Sequence, residues 1–315
     1  MRLVLADSTV LKDSITVISE LVNEARFKVT KEGLELIAMD PANVAMVIFK
    51  LLATNFAEYE VENEKDISLN LSNLKQILRR ASANETLVME YDQDNKLKLQ
   101  FKSSSVRTFH LPLLEIEDKE QRVPNLSFPV TIQMPSYVLV DAVEDVSIVA
   151  ESVAFSAEPD KLVIDAEGDL TKVNIEVKPD DVIKLVSSTK AKVRSKFSTE
   201  YLKKMMHGSK LADNVNVYLS QDYPLKIEYK VVDKLSLSFI LAPRMENDWF
   251  FYNYCCYNKV VCAGMIPLIE SSRITKKTYN NINETPCITE IFVPLTNAAN
   301  KKHIIIMKTA LVRKT

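Results

Sequence analysis

Apolar and polar positions follow two alternating rhythms along this chain. Over residues 9–22, Leu11, Ile15, Ile18, Leu21 and Val22 recur at helical spacing and predict an amphipathic helix, with Ser8 or Thr9 as its cap. The period then falls to two. Residues 26–30 and 34–39 alternate around Lys31, Glu32 and Gly33, as the arms of a hairpin do. A strand is expected at 44–51, a charged connection at 58–65 and a strand at 67–71. Ser72 is expected to cap a second helix that reaches Ala81, and strands at 86–91, 96–102 and 106–113 complete the first half.

The second half repeats this order. A strand at 130–134 leads into a helix from Ser136 to Val149, followed by strands at 153–157, 162–166, 172–177 and 191–197. A helix at 199–207 and strands at 214–219, 225–231 and 235–241 follow. A shift of 128 residues, without a gap, carries Leu11, Ile15, Ile18 and Phe27 onto Leu139, Val143, Val146 and Phe155. It also carries Leu74, Leu87, Leu97 and Phe101 onto Leu202, Val215, Leu225 and Tyr229. Two copies of one domain are expected. Since the shift takes Leu111 to Phe239, the second copy is complete by Arg244. Between the copies, LEIEDKEQRVPNLSFP keeps neither rhythm and is interrupted by Pro124 and Pro129. The expected organisation is a domain at 1–113, a linker at 114–129, a domain at 130–244 and an extension at 245–315. The class is α+β, each domain having two helices packed on antiparallel sheets.

Composition narrows the function. The chain has 315 residues, 47% hydrophobic and 26% charged, which suits about two globular domains. Its net charge of -2 argues against a surface that is basic throughout but allows a local basic patch. Only Gly33, Gly168 and Gly208 precede residue 245, so no glycine cluster can cradle a phosphate or a dinucleotide. With His110, His207 and His303 the only histidines, no paired-histidine metal motif and no nucleophile elbow occur. The carboxylates fall on turns and polar helix faces. The expectation is a protein without a catalytic site, cofactor or metal.

The extension differs in character. It holds all four cysteines, Cys255, Cys256, Cys262 and Cys287, without paired C-x-x-C spacing, so no disulfide can brace the domains. Residues 249–269 are apolar enough to consider as a membrane span, but Asn253, Asn258 and Lys259 interrupt them. The start, MRLVLADSTV, lacks the parts of a signal peptide, so the expected location is cytoplasmic.

Basic groups recur on the polar faces of the helices. Leu74, Ile77, Leu78 and Ala81 form one apolar stripe, leaving Lys75, Gln76, Arg79 and Arg80 on the other side. At the matching place in the second copy, Leu202, Met205 and Met206 are apolar, while Lys203, Lys204 and His207 point away, with Lys210 close behind. A solubilising face would explain either helix alone. Recurrence at one position makes a binding surface an equal reading. Lys12 adds a charge on the first helix. Lys190, Lys192, Arg194 and Lys196 share one face of a strand opposite Val193 and Phe197, and read as an outer solvated surface.

Several separate stretches carry a family resemblance: MDPANVAMV (39–47), LSNLKQIL (71–78), RTFHLPL (107–113), YPLKIEYKV (223–231) and LAPR (241–244). Over residues 1 to about 244 the chain resembles the archaeal form of the proliferating cell nuclear antigen family, the sliding clamps of DNA replication. The resemblance implies a DNA-clamp fold assembling into a closed ring, usually a trimer of this chain with itself or with related subunits, around duplex DNA. Lys12, Lys75, Arg79, Arg80, Lys203, Lys204 and Lys210 would then face phosphates without reading sequence. DNA polymerase, clamp loader, flap nuclease and DNA ligase would dock by short peptides in a pocket lined by Met39, Val44, Met46, Ile116, Pro224, Ala242 and Pro243. From the residues alone, Met39, Val44 and Met46 would be plain strand core. The subunit interface would pair Val106, Thr108 and His110 with Val173, Ile175 and Val177, hiding two strand edges.

This sequence departs from the family at residues 136–149, which carry Asp141, Glu144 and Asp145 and no Lys or Arg. That puts DNA contact by this helix in doubt. The resemblance stops before the extension, whose Trp249, Phe250 and Phe251 start beside the implied pocket and could compete for it. Two other readings stay open: a structural ring or adaptor that never encircles DNA, and an enzyme whose chemistry lies in the cysteine-rich extension.

Overall fold

The computed structural model describes residues 1–82, 84–92, 95–115, 121–189 and 191–244. Ile116, Lys190 and the whole extension from 245, with its cysteines and aromatic start, therefore lie outside the described residues.

The first half runs β1 (Arg2–Leu5), α1 (Thr9–Ile18), β2 (Glu24–Val29), β3 (Gly33–Met39), β4 (Ala45–Leu52), β5 (Glu58–Glu60) and β6 (Lys65–Asn70). It continues with α2 (Leu71–Leu78), β7 (Thr86–Asp92), β8 (Lys96–Lys102) and β9 (Val106–Pro112). The second half runs β10 (Val130–Pro135), α3 (Ser136–Val149), β11 (Ser152–Glu158), β12 (Lys161–Glu167), β13 (Lys172–Val177) and β14 (Lys184–Ser187). β15 (Val193–Ser198), α4 (Thr199–Met206), β16 (Asn214–Leu219), β17 (Leu225–Val231) and β18 (Leu235–Leu241) complete it.

Three short strands were not expected. β1, β5 and β14 have three or four residues each, too few for a period to show. The helix caps also differ from expectation. Ser8 stands at the N-cap of α1, as expected, but makes no side-chain capping bond; Asp7 Oδ1 instead accepts from the Thr9 N–H at 2.8 Å. Asn70 takes the place expected of Ser72, its side chain accepting from the Asn73 N–H at 3.0 Å. Ser136 is the first residue of α3 and donates its hydroxyl to Ala212 O at 2.7 Å. α1 closes at Ile18 rather than Val22, because Leu21 and Val22 reach the core from the turns that follow.

Strand register tests the repeat directly. Phe27 faces Leu36 and Phe155 faces Ile164; Met89 faces Leu99 and Val217 faces Ile227, each pair related by the shift of 128. The shift changes at two strands. Leu36 faces Phe49 while Ile164 faces Ile175, a shift of 126 from Phe49 to Ile175. Leu99 faces Phe109 while Ile227 faces Phe239, a shift of 130. The structural counterpart of Phe239 is therefore Phe109, and Leu111 corresponds to Leu241. Both changes are by two residues, which keeps every side chain on its own face of the sheet.

Among the described residues the strands form a five-stranded sheet, β5-β1-β7-β8-β9, a four-stranded sheet, β13-β12-β11-β15, and a nine-stranded sheet, β14-β10-β16-β17-β18-β4-β3-β2-β6. The nine-stranded sheet is the five of the second half joined to the four of the first. β18 and β4 run antiparallel from Leu235 opposite Leu51 to Leu241 opposite Ala45. Leu237, Phe239, Leu241, Val47, Phe49 and Leu51 thus feed one core that passes through both halves. The helices cover the inner faces: α3 packs on α4, α1 on α2, and α1 also meets the 3-10 turn His207–Lys210.

Candidate DNA-facing helices and peptide-docking site

The exposed faces of α1, α2 and α4 carry the expected cations in two states. Arg79, Arg80, Lys203 and Lys210 are exposed and make no ion pair among the described residues. Lys75 is held between helices by Glu20 at 2.8 Å, and Lys204 by Glu200 at 2.7 Å, one turn earlier in α4. The hydrogen bond from Lys75 holds the Glu20 carboxyl below its usual range, with the charge of Lys204 assisting. Glu20 therefore marks where α1 meets the end of α4. Lys12 is half-buried on α1.

α3 is the odd helix. Tyr137, Asp141, Glu144, Asp145 and Ile148 form its exposed face, and Ile148 keeps 84% of its surface open. Its three carboxylates make no ion pair among the described residues.

Register brings most of the expected docking residues together. Met39 faces Met46, Met46 faces Ile240, and Leu241 stands between Ala45 and Leu225, the neighbour of Pro224. The Ala242 N–H donates to Val44 O at 2.9 Å, and the Arg244 N–H to Lys196 O at 2.6 Å, so residues 242–244 pass from β4 toward β15. Met39, Met46 and Ile240 stand on the face opposite the core, where Ile37 and Ile48 also pair. This extra face was missed in the sequence because AMVIFKLL is apolar on both sides, which hides alternation.

The described end of the linker is anchored by another residue the sequence did not single out. Phe128 packs against Tyr218 and Tyr223, both with ring centroids 5.8 Å away. Beneath it, Glu228 accepts from the Tyr218 hydroxyl at 2.9 Å, Lys226 at 3.1 Å and the Ser238 hydroxyl at 3.3 Å. Burial pushes the Glu228 carboxyl up, but these donors outweigh it and leave it lowered.

At the free edges the two strands behave differently. Val173, Ile175 and Val177 of β13 face the core side. On β9, Val106, Thr108 and His110 are exposed on the outward face, and the core side carries Arg107, Phe109 and Leu111 instead. The period of two decides this, since Leu111 is buried and every second residue shares its side. Phe109 packs edge-on against Phe101 at 5.9 Å, and Arg107 pairs with the Glu85 carboxylate.

The stripe on β15 faces outward, as read from its alternation. Lys192 pairs with Glu158 at 3.0 Å, and Arg194 makes a bidentate pair with Asp165 at 2.9 and 3.0 Å. Among the described residues no cluster of three His, Cys, Asp or Glu could hold a metal ion, and no helix is long and apolar enough to cross a membrane.

A twice-repeated unit of paired helices on antiparallel sheets, with one sheet continuous across the repeat, defines the clamp-type α+β fold. Residues 1–121 match the family described as proliferating cell nuclear antigen, N-terminal domain, and residues 122–244 the corresponding C-terminal domain. The DNA polymerase sliding clamp of Nanoarchaeum equitans is 34% identical over 249 residues, covering 78% of this chain and 100% of that relative. That of Thermococcus gammatolerans is 35% identical over 234 residues, covering 74% of this chain and 94% of the relative. The solved structure of the nuclear antigen from Thermococcus kodakaraensis matches with a TM-score of 0.72 at 29% identity, over 77% of this chain and 99% of that one. The chain belongs to the proliferating cell nuclear antigen family.

Proposed function

We propose that this chain is a DNA polymerase sliding clamp: a non-catalytic ring that encircles duplex DNA and tethers replication and repair enzymes. The observation that carries this is the sheet arithmetic. One five-stranded and one four-stranded sheet are already fused within the chain by β18 and β4, and a matching pair is left with β9 and β13 free. A second copy supplies what each free edge lacks, and repetition of that step around an axis closes a ring, with three copies expected for this family.

The register of the fused joint extends to the free one. Phe239 faces Val47 within the chain, so Phe109 of one copy is expected to face Val173 of the next, with Thr108 opposite Asn174. The helices then line the hole. Arg79, Arg80, Lys203, Lys204, Lys210, Lys12 and Lys75 supply weak, salt-sensitive phosphate contacts, and topology rather than affinity keeps the ring on DNA. This accommodates a chain whose net charge is -2.

Met39, Val44, Met46, Pro224, Ala242 and Pro243, with Ile37, Ile48 and Ile240 beside them, form the docking site for short apolar and aromatic peptides of polymerase, clamp loader, nuclease and ligase. The domain boundaries at 113 and 130 and the role of 114–129 as connecting linker belong to the same reading. So does a site of action at the nucleoid, in a prokaryotic cytoplasm.

Retention on DNA tests this reading. Rings assembled on a closed circle should stay through a high-salt wash and leave when one restriction cut frees an end. Equal loss before and after the cut would sink the reading.

A further inference from the structure

The loop 40–44 and the first turn of α4 meet across the two halves. Asp40 is 4% exposed and accepts from the N–H groups of Val44 at 2.6 Å, Ala45 at 2.7 Å and Ala42 at 3.1 Å. These bonds set the loop that carries Met39 and Val44. A further bond comes from the other half: the Tyr201 hydroxyl donates to Asp40 Oδ2 at 2.7 Å. Burial first, and then Asp40, pushes the Tyr201 phenol up to about 12, so it stays a donor at any ordinary pH.

Tyr201 has a charged neighbour on each side. Lys204 Nζ lies 5.4 Å from its ring centroid and pairs with Glu200. Arg244 follows directly on Ala242 and Pro243. Its guanidinium donates weakly to Glu151 O at 3.4 Å, the same carbonyl that accepts from the Thr199 N–H at 3.1 Å, which places Arg244 beside the residue that precedes Glu200. Glu200 thus stands between a cation of the hole and a cation of the docking rim.

We propose that the first turn of α4 couples the two surfaces: a DNA phosphate that takes Lys204 releases Glu200 to Arg244, which fixes residues 242–244 and tightens peptide docking. This rests on the sliding-clamp reading above. The exchange is feasible because an exposed lysine–glutamate pair one helical turn apart is weak, and a phosphate competes for the same ammonium. Tyr201 keeps the turn against the loop, so a change at Glu200 is felt where Met39 and Val44 lie. Coupling needs a ligand to favour one of two arrangements, and the two partners available to Glu200 supply them.

The test uses the full chain and a fluorescent docking peptide of an archaeal polymerase, titrated with and without a short blunt duplex at low salt. Peptide affinity should rise roughly five-fold at saturating duplex, within the usual range of coupling between sites. Glu200→Gln should bind the peptide alone about as well as the parent does, yet lose the rise. Lys204→Arg should keep it. Tyr201→Phe should weaken docking with and without DNA, because the loop loses its tether. An unchanged affinity on adding duplex overturns the proposal, as does a full rise in Glu200→Gln. No peptide binding under either condition defeats the docking reading beneath it, whereas binding that ignores DNA defeats only the coupling.

Discussion

The joint between β18 and β4 and the free edges of β9 and β13 are two versions of one structure. At the fused joint, bonds outside the ladder lock the halves: Asp40 with Tyr201, Thr54 Oγ1 with Asp233 O at 2.8 Å, Asn55 Nδ2 with Lys234 O at 2.7 Å, and the Ala242 N–H with Val44 O. The counterparts at the free edges cannot repeat them. Gly168 stands where Asp40 would, Asn73 where Tyr201 would, and Pro112, which lacks an N–H, where Ala242 would. In the proposed ring one geometry would serve twice, once as a permanent seam and once as a seam that can part. A ring that must admit DNA is expected to open at the second.

That contrast can be broken most severely at its aromatic centres. Phe239→Ala removes a fully buried ring from the fused joint and should cost about 3–5 kcal/mol of folding stability in urea titrations. Phe109→Ala, at the matching place on a half-buried edge, should cost the monomer clearly less stability while the mass in solution falls from trimer to single chain. Similar stability losses from both would show that the two seams do not differ as described.

A middle-sized effect is expected at the lock. Asp40→Ala strips the acceptor from three backbone N–H groups and the Tyr201 hydroxyl, and should cost about 1–3 kcal/mol in the same titration. Gly168→Asp should not restore an equal amount at the free edge, because a Cβ at 168 would collide with Val149 O and Asn73 offers no phenol.

The smallest effect concerns charge. α1 meets the turn His207–Lys210 across the fused joint, so α3 should meet residues 79–82 of a second copy across the free one. Asp141, Glu144 and Asp145 would then lie beside Arg79 and Arg80. Asp141→Lys combined with Asp145→Lys should weaken trimer formation several-fold at low salt and much less at high salt, because surface charges are screened. An unchanged dissociation constant at low salt would return α3 to the hole, as an acidic wall that the duplex avoids.

Much of this was legible in the sequence. The alternation of 96–102, 214–219 and 225–231 was enough to locate those strands to within a residue, because one face is buried and the other partly open to solvent. The repeat was legible for the same reason. What stayed hidden was pairing between distant segments. Nothing local says that Leu241 faces Ala45, and without that contact Ile240, Met46 and Met39 do not read as one surface. The cap of α2 went astray because Asn70 stood two residues from an equally plausible Ser72. On β9 the sequence does not say which face is inward, since VRTFHLP is apolar at both odd and even positions.

The changes of two in the repeat shift set a rule for how this fold tolerates insertion. Between β3 and β4 and their counterparts the chain is shorter by two residues, and before β18 it is longer by two. An odd change in either loop would send Phe49 or Phe239 to solvent and bring Lys50 or Ser238 into the core. Even changes alter only the loop. Parity, more than length, is what descent could vary here without turning a strand inside out.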